Sequence, residues 1–352
     1  MEIYNFHLAN SLLDEGHNNV ILVTTDKTNS KGFNRYYASN RIFITRRWGL
    51  DILSMLLYCL CSPRIRINQW RHVMIPYTSG FGLCAWPFLL FKKLFGFNYS
   101  VHCHGGGLKE WQSPTLQRIF LGKAAHVAAV SDMICREYSK RLSFDVKYLP
   151  PLQQFKQAET DKVALKSQYG VDNYQKIILF AGSIKPLKSL VTLLEAYSTI
   201  GSKIREDWKS VVLVAGDGPL KQDLERKYTS RDIIFLGRVP NEKMNELYKM
   251  SDIYVIPSWF EGTSLSLLEA MYNGLCCIGT NVDGIKGMIK NGETGLLFEK
   301  NDSIGLRIII EKVLGDERLA QAYGAKAAAY YHDNYLYSNH LNEVLSFLDY
   351  NN

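Results

Sequence analysis

The sequence predicts an α/β chain built on parallel sheets and divided into two domains. Three observations carry this. Short β-branched apolar runs, such as Ile253-Tyr254-Val255-Ile256, are followed by a turn and then by apolar residues at helical spacing, the strand–loop–helix order of a buried parallel sheet. A chain of 352 residues buries a sizeable core and most naturally forms two domains. A Pro150-Pro151 pair breaks the pattern where a linker belongs.

In chain order, residues 3–15 read as a helix with Ile3, Phe6, Leu8, Leu12 and Leu13 on one face, and residues 20–25 as a buried strand. A short strand is expected at 42–44. Residues 48–61 and 82–95 form apolar helices flanked by arginine and lysine, a pattern that sheet-packed helices share with interfacial ones. Residues 99–103 form a strand, and His104-Gly105-Gly106-Gly107 is the loop at its carboxyl end, where open sheets bind ligands. By strand alternation His102 points the other way and is structural. Further strands are expected at 124–130 and 146–149. Past the linker come a helix at 162–169, strands at 177–181, 211–215 and 233–236, and a last helix at about 335–349. Gly216-Asp217-Gly218-Pro219 follows a strand without completing a G-x-G-x-x-G fingerprint, which excludes a nicotinamide reading.

Residues 251–281 carry the chemistry. Their first strand stops at Pro257-Ser258, because proline cannot donate to a continuing ladder. The loop 259–264 leads into a helix with Ser264 or Thr263 as N-cap and Gly274 at C′. That helix turns free N–H groups toward the ligand end of the sheet, which suits a phosphate. Glu261 in the loop and Glu269 inside the helix flank the anion site. Carboxylates so placed are poor phosphate ligands and good partners for sugar hydroxyls.

Composition narrows the classes. The apolar share of 47% and charged share of 21% are those of a soluble globular protein. Seven scattered cysteines without a C-x2-C pair argue for a reducing compartment and against structural zinc. No signal peptide opens the chain and no apolar run spans a bilayer, so a cytoplasmic location is expected, or a peripheral one on the inner face of the membrane. Residues 1–150 hold 18 Lys/Arg against 9 Asp/Glu, a balance of +9, and residues 151–352 hold 23 against 25, a balance of −2. The basic half suggests an anionic membrane surface as partner. Nucleic acid is not expected, since no zinc finger, helix-turn-helix or RNA-recognition signature occurs.

On these residues the chain resembles the retaining glycosyltransferases of the two-Rossmann-domain (GT-B) fold, family four, also called group 1 glycosyltransferases. The likeness rests on PSWFEGTSLSLLEAMYNG at 257–274, read as PS-x2-E-G-x6-E-A-M-x2-G, and on residues 181–188, 215–219, 235–239 and 291–297. It implies two facing Rossmann-like domains with the active site in their cleft. Residues 1–155 would be the acceptor side, with the helix at 335–352 packing back on it, and residues 156–334 the nucleotide-sugar side. The implied reaction moves a sugar from a nucleotide diphosphate sugar, UDP in preference to GDP, to a hydroxyl on a glycan or lipid-linked acceptor. The anomeric configuration would be retained, and the setting would be bacterial surface polysaccharide or glycolipid synthesis.

The resemblance also implies roles. Glu261 would contact the sugar and Glu269 the ribose. Lys188, with the amides of Thr263, Ser264 and Leu265 after Gly262, would hold the diphosphate, and His104 would support the sugar from the other domain. Gly182, Ser183 and Gly216 match the first two donor loops, and the backbone of Gly237, Arg238 and Val239 matches the stretch that touches the base. The family's arginine after the first glycine is Ser183 here, and its glycine after the lysine is Ser189. Lys185 either replaces the lost charge or is a solvated lysine. No D-x-D occurs, so no metal is expected, and the nucleotide sugar is a substrate rather than a cofactor. A nucleotide-sugar epimerase and a non-catalytic nucleotide-sugar-binding protein are the alternatives on this fold. The family's first strand and glycine-rich loop have no counterpart before residue 3. The N-terminal domain is therefore expected to lack its first strand and to leave two strands unpaired, with the missing residues lying upstream in the natural chain.

Overall fold

The computed structural model describes residues 20–24, 41–45, 72–77, 89–90, 92–94, 96, 98–103, 114–143, 145–151, 155, 158–336, 338–340, 343 and 347. The expected helices at 3–15 and 48–61, most of that at 82–95, and His104 with its glycines lie outside the described residues. The chain divides into two compact units, Met1–Gln154 with Leu336–Asn352, and Phe155–Tyr335. Among the described residues no helix is long and apolar enough to cross a membrane.

The first unit holds six parallel strands in chain order: β1 (Val20–Thr24), β2 (Arg41–Thr45), β3 (His72–Tyr77), β4 (Asn98–Cys103), β5 (His126–Ala129) and β6 (Lys147–Tyr148). The expected break in this sheet is absent. β2 pairs with β1 through Ile42↔Ile21 and with β3 through Ile42↔Val73, so backbone groups on both sides find partners. β3 is unmarked in the sequence, because Pro76 interrupts a run that would otherwise read as a strand. β4 is buried from Tyr99 to Cys103. Its Ser100 hydroxyl donates to the Phe347 carbonyl at 2.8 Å, which ties the returning C-terminal segment to this sheet. His102 is fully buried, with Nε2 2.9 Å from the Leu149 carbonyl. Burial pushes its imidazole down to about 4, so it is a neutral packing residue.

The second unit is a six-stranded parallel sheet in the order β12-β11-β10-β7-β8-β9. The strands are β7 (Lys176–Ala181), β8 (Ser210–Ala215), β9 (Ile233–Gly237), β10 (Ile253–Ile256), β11 (Cys276–Thr280) and β12 (Leu296–Phe298). After β9 the chain crosses back and continues on the other side of β7, so the strand order reverses between β7 and β10. Ligands bind outside the carboxyl ends of the strands at such a switch point. Ile178, Phe180, Val212, Val214, Val255 and Ile278 fill one face of the sheet and pack on Leu193, Leu194, Ile310 and Val313 from the covering helices.

One helix of this unit, Leu265–Tyr272, matters most for position, and its two ends are held differently. At its start Ser264 is the N-cap, its hydroxyl accepting from the Leu267 amide. At its end Gly274 has φ 71 and donates to Met271, while Leu275 donates to Ala270. These two bonds form a Schellman cap, which requires the left-handed conformation glycine tolerates. The long helix Glu317–Tyr335 crosses this end so closely that a Cβ on Gly324 would lie 2.0 Å from the Gly274 carbonyl oxygen. Tyr272, Tyr331 and Phe155 pack around the crossing in tilted and edge-on contacts, with ring centroids 5.4 and 5.7 Å apart.

Gly324→Ala is therefore expected to destabilise by about 1–3 kcal/mol through overpacking. Gly287→Ala, where nothing lies within 4 Å of the added carbon, is expected to be near neutral. Urea unfolding of the two variants checks this, and equal midpoints would show that the crossing is looser than described.

Candidate functional site

The carboxyl ends of β7, β8 and β9 surround a pocket of about 660 Å³. Ala181-Gly182-Ser183 line it after β7, residues 215–218 after β8, and Arg238-Val239 after β9. Asn241, Met244 and Tyr248 join from the helix Asn241–Met250, and Ser266 and Glu269 from the helix Leu265–Tyr272. The loops meet backbone to backbone. Gly182 donates to Ala215, Gly216 to Gly237, and Ile184 to Asp217, at 2.8–3.0 Å. A Cβ on Gly216 would sit 1.9 Å from the Gly182 oxygen, and one on Gly218 2.4 Å from the Ile184 oxygen. The A-G-S and A-G-D-G stretches are thus glycine-rich because the loops leave no room for side chains. Gly237, at φ 68, ends β9 in a left-handed turn.

Among the described residues the pocket lining has one base, Arg238, and two acids, Asp217 and Glu269. Glu269 is half-buried, and the Tyr248 hydroxyl donates to its Oε2 at 2.9 Å. Burial pushes its carboxyl up to about 7, against the opposing pull of that hydrogen bond. Glu261 is placed differently. It is 9% exposed and forms an ion pair with Lys188, Nζ to Oε1 2.5 Å. Lys188 ends the short 3-10 turn Pro186–Lys188, and the Trp259 amide donates to the Leu187 carbonyl, tying that turn to the Glu261 loop. Gly284 backs the loop, since a Cβ there would meet the Glu261 carbonyl at 2.0 Å.

Of the residues singled out in the sequence, Gly182, Ser183, Gly216, Arg238, Val239 and Glu269 line the pocket. Lys188 and Glu261 pair beside it, at the head of the helix capped by Ser264, and Ser264 Oγ lies 3.0 Å from the pocket-lining Ser266 Oγ. Gly262, Thr263, Leu265 and Gly237 frame these groups without lining the pocket. Lys185 is exposed and, among the described residues, makes no ion pair. The positive charge inside the pocket is that of Arg238. Asn241, Met244, Tyr248, Ser266 and Gly284 are site residues without a sequence signal that isolates them, though Ser266 sits inside the E-x7-E stretch and the lining Asp217 inside the 215–219 stretch.

Residues 161–330 match the family model described as glycosyl transferases group 1. The match lies wholly within the second unit. An N-acetyl-α-D-glucosaminyl L-malate synthase of Bacillus anthracis is 32% identical over 171 residues, 47% of this chain and 43% of that protein. A Campylobacter jejuni α-1,4-N-acetyl-D-galactosaminyltransferase acting on an undecaprenol-linked glycan is 35% identical over 161 residues, 45% and 43% of the two chains. The chain thus aligns with less than half the length of these curated relatives. A glycosyltransferase structure from Rickettsia africae superposes with TM-score 0.78 at 20% identity, covering 99% of this chain and 93% of that one. Anabaena HepE, solved with UDP, superposes with TM-score 0.75 at 17% identity, covering 98% and 95%. These likenesses show the fold, which is GT-B.

In the second unit, Ser189 follows Lys188 with φ 45, a left-handed backbone, and its hydroxyl lies 2.9 Å from Thr192 Oγ1. A Cβ in that region costs about 1–2 kcal/mol. Ser189→Gly removes the strain while Ser189→Ala keeps it, and both lose the hydroxyl. The glycine variant is expected to be the more stable of the two by about 1–2 kcal/mol in urea. An alanine variant as stable as the glycine one would contradict the left-handed assignment.

Proposed function

We propose that the pocket takes a nucleotide diphosphate sugar and that the chain transfers its sugar to a hydroxyl acceptor with retention of configuration. The observation that carries this reading is the Lys188–Glu261 ion pair at the head of the helix whose Glu269 lines the pocket. A cation and free helix amides suit a diphosphate, one carboxylate suits sugar hydroxyls, and the other suits a ribose. Lys188 with the Thr263, Ser264 and Leu265 amides would neutralise the diphosphate without a metal. His104, outside the described residues, would support the sugar. UDP is the preferred nucleotide, in keeping with the UDP bound by HepE.

In the transfer, the bond between the anomeric carbon and the diphosphate oxygen breaks and the acceptor oxygen bonds the same carbon on the same face. The acceptor proton passes to the departing phosphate. Such a reaction needs positioning and stabilisation of the leaving diphosphate more than a fixed general base. The acceptor class is a glycan or lipid-linked hydroxyl, as in the undecaprenol-linked acceptor of the Campylobacter relative, and the process is surface polysaccharide or glycolipid synthesis. Labelled UDP-, GDP- and ADP-sugars with hydroxyl acceptors test the reading, with the product anomer read by proton NMR. Absence of acceptor-dependent transfer from all three would overturn it.

Paired with Lys188, Glu261 competes with the donor diphosphate for the same cation. Glu261→Gln is therefore expected to lower transfer by roughly 10²-fold or more and to raise affinity for UDP several-fold, because Lys188 is released. Calorimetry showing weaker UDP binding in this variant would sink the exchange. The basic first half, +9 over residues 1–150, supports reversible attachment to an anionic membrane, where a lipid-linked acceptor sits. Flotation with anionic vesicles should show binding that fades as salt rises, since exposed charges are screened over about 8–10 Å near physiological ionic strength. No binding at low salt would exclude this attachment.

A further inference from the structure

On the reading that this pocket takes a nucleoside diphosphate, we propose that Tyr248 is a positioning residue whose buried hydroxyl holds the Glu269 carboxylate ready to accept from the ribose hydroxyls. Tyr248 stands 21 residues before Glu269 in the chain, on a different helix, and its side chain is fully buried. Its hydroxyl donates to Oε2 at 2.9 Å and, among the described residues, is the hydrogen-bond partner of that carboxylate. Both residues line the pocket, so the bond is made at the wall where a ligand would lie.

The chemistry requires such a donor. A ribose hydroxyl donates most strongly to an ionised carboxylate, and a protonated one gives up half of its acceptor capacity. Burial raises the Glu269 carboxyl to about 7, so near neutral pH the group stands at the edge of protonation. A hydrogen bond from a neutral phenol favours the ionised form without introducing a charge that would compete for the ligand. Tyr248 can always donate, since burial holds its own hydroxyl well above its ordinary value.

The other groups facing Glu269 do not replace it. Tyr254 from β10 and Tyr331 from the helix Glu317–Tyr335 lie close enough to feel the carboxylate's charge, and both phenols, raised chiefly by burial, are neutral. Cys277 from β11 faces the tyrosine pair and is likewise raised and neutral. Asp217 and Arg238 lie on the pocket wall formed by the loops after β8 and β9. Tyr254 supplies an internal control. It is as buried as Tyr248, with ring centroids 5.9 Å apart, yet its hydroxyl donates to Ser266 Oγ at 2.7 Å instead.

The test compares wild type, Tyr248→Phe and Tyr254→Phe in the full chain. The Glu269 carboxyl is titrated by carbon-13 NMR, assigned with Glu269→Gln, and affinities for UDP and 2′,3′-dideoxy-UDP are measured by calorimetry. In Tyr248→Phe the Glu269 titration is expected to move up by about half a pH unit or more, because a bond to the charged form is lost. Tyr254→Phe should leave it in place. Wild type should prefer UDP over the dideoxy analogue by about tenfold or more, the usual worth of hydrogen bonds to a charged group. Tyr248→Phe should narrow that preference to two- to threefold, roughly what neutral hydrogen bonds sustain. The same substitution in the Glu269→Gln background should leave it unchanged, since the two residues act as one unit. An unmoved titration with the preference intact in Tyr248→Phe overturns the proposal. A titration that moves while wild type binds both nucleotides equally also overturns it, and locates the failure in the ribose reading rather than in the hydrogen bond.

Discussion

No side chain fits between Gly324 and the carbonyl of Gly274, and the placement of the site depends on that contact. The crossing brings the helix Glu317–Tyr335 onto the Schellman cap that ends Leu265–Tyr272. Interiors are packed as densely as organic crystals, so a contact of this closeness sets a position rather than a range. With its far end held there and its near end capped by Ser264, an eight-residue helix becomes a fixed ruler. Glu269 and Ser266 are marks on that ruler, and both face the pocket.

The same principle, backbone against backbone, builds the opposite wall. Gly216 lies on Gly182, Gly218 on Ile184 and Gly284 on Glu261, each at distances that exclude a Cβ. Close approach leaves main-chain amides and carbonyls as the lining, and those groups cannot rotate away from a ligand as side chains can. Preorganised donors of that kind are what stabilise a leaving anion without reorganisation at the moment of reaction. The two glutamates then divide by surroundings. Glu261 meets a lysine, whereas Glu269 meets a neutral phenol in a half-buried wall, where burial pushes its carboxyl up to about 7.

Likeness to known proteins is distributed unevenly along the chain. The family model covers residues 161–330, while the fold likeness to HepE and to the Rickettsia glycosyltransferase extends over nearly all of it. A parallel sheet of the first unit's kind accepts many sequences, because its strands need only be apolar on both faces. The donor-side loops accept few, since glycine is required wherever two backbones touch. The motif PSWFEGTSLSLLEAMYNG meets two such glycines, Gly284 against Glu261 and Gly324 against Gly274.

Much of the second unit was legible in the chain itself. Strands β7 to β10 were expected within one or two residues of where they lie, and Ser264 as one of two N-cap candidates and Gly274 at C′ were readable from local rules. Strand periodicity, caps and turns are written by residues within a few positions of one another, which is why local patterns suffice for them. The pairing of β2 with β3, the strand through Pro76, the Lys188–Glu261 ion pair and the Tyr248–Glu269 bond were not legible. Those features join residues separated by 21 to 73 positions, and nothing local distinguishes Tyr248 from a tyrosine that merely packs. Sequence alone determined most of the elements that form and which polar residues stand at their ends. Tertiary structure decided which of those residues meet, because a hydrogen bond or an ion pair exists only when packing elsewhere brings two atoms to within about 3 Å.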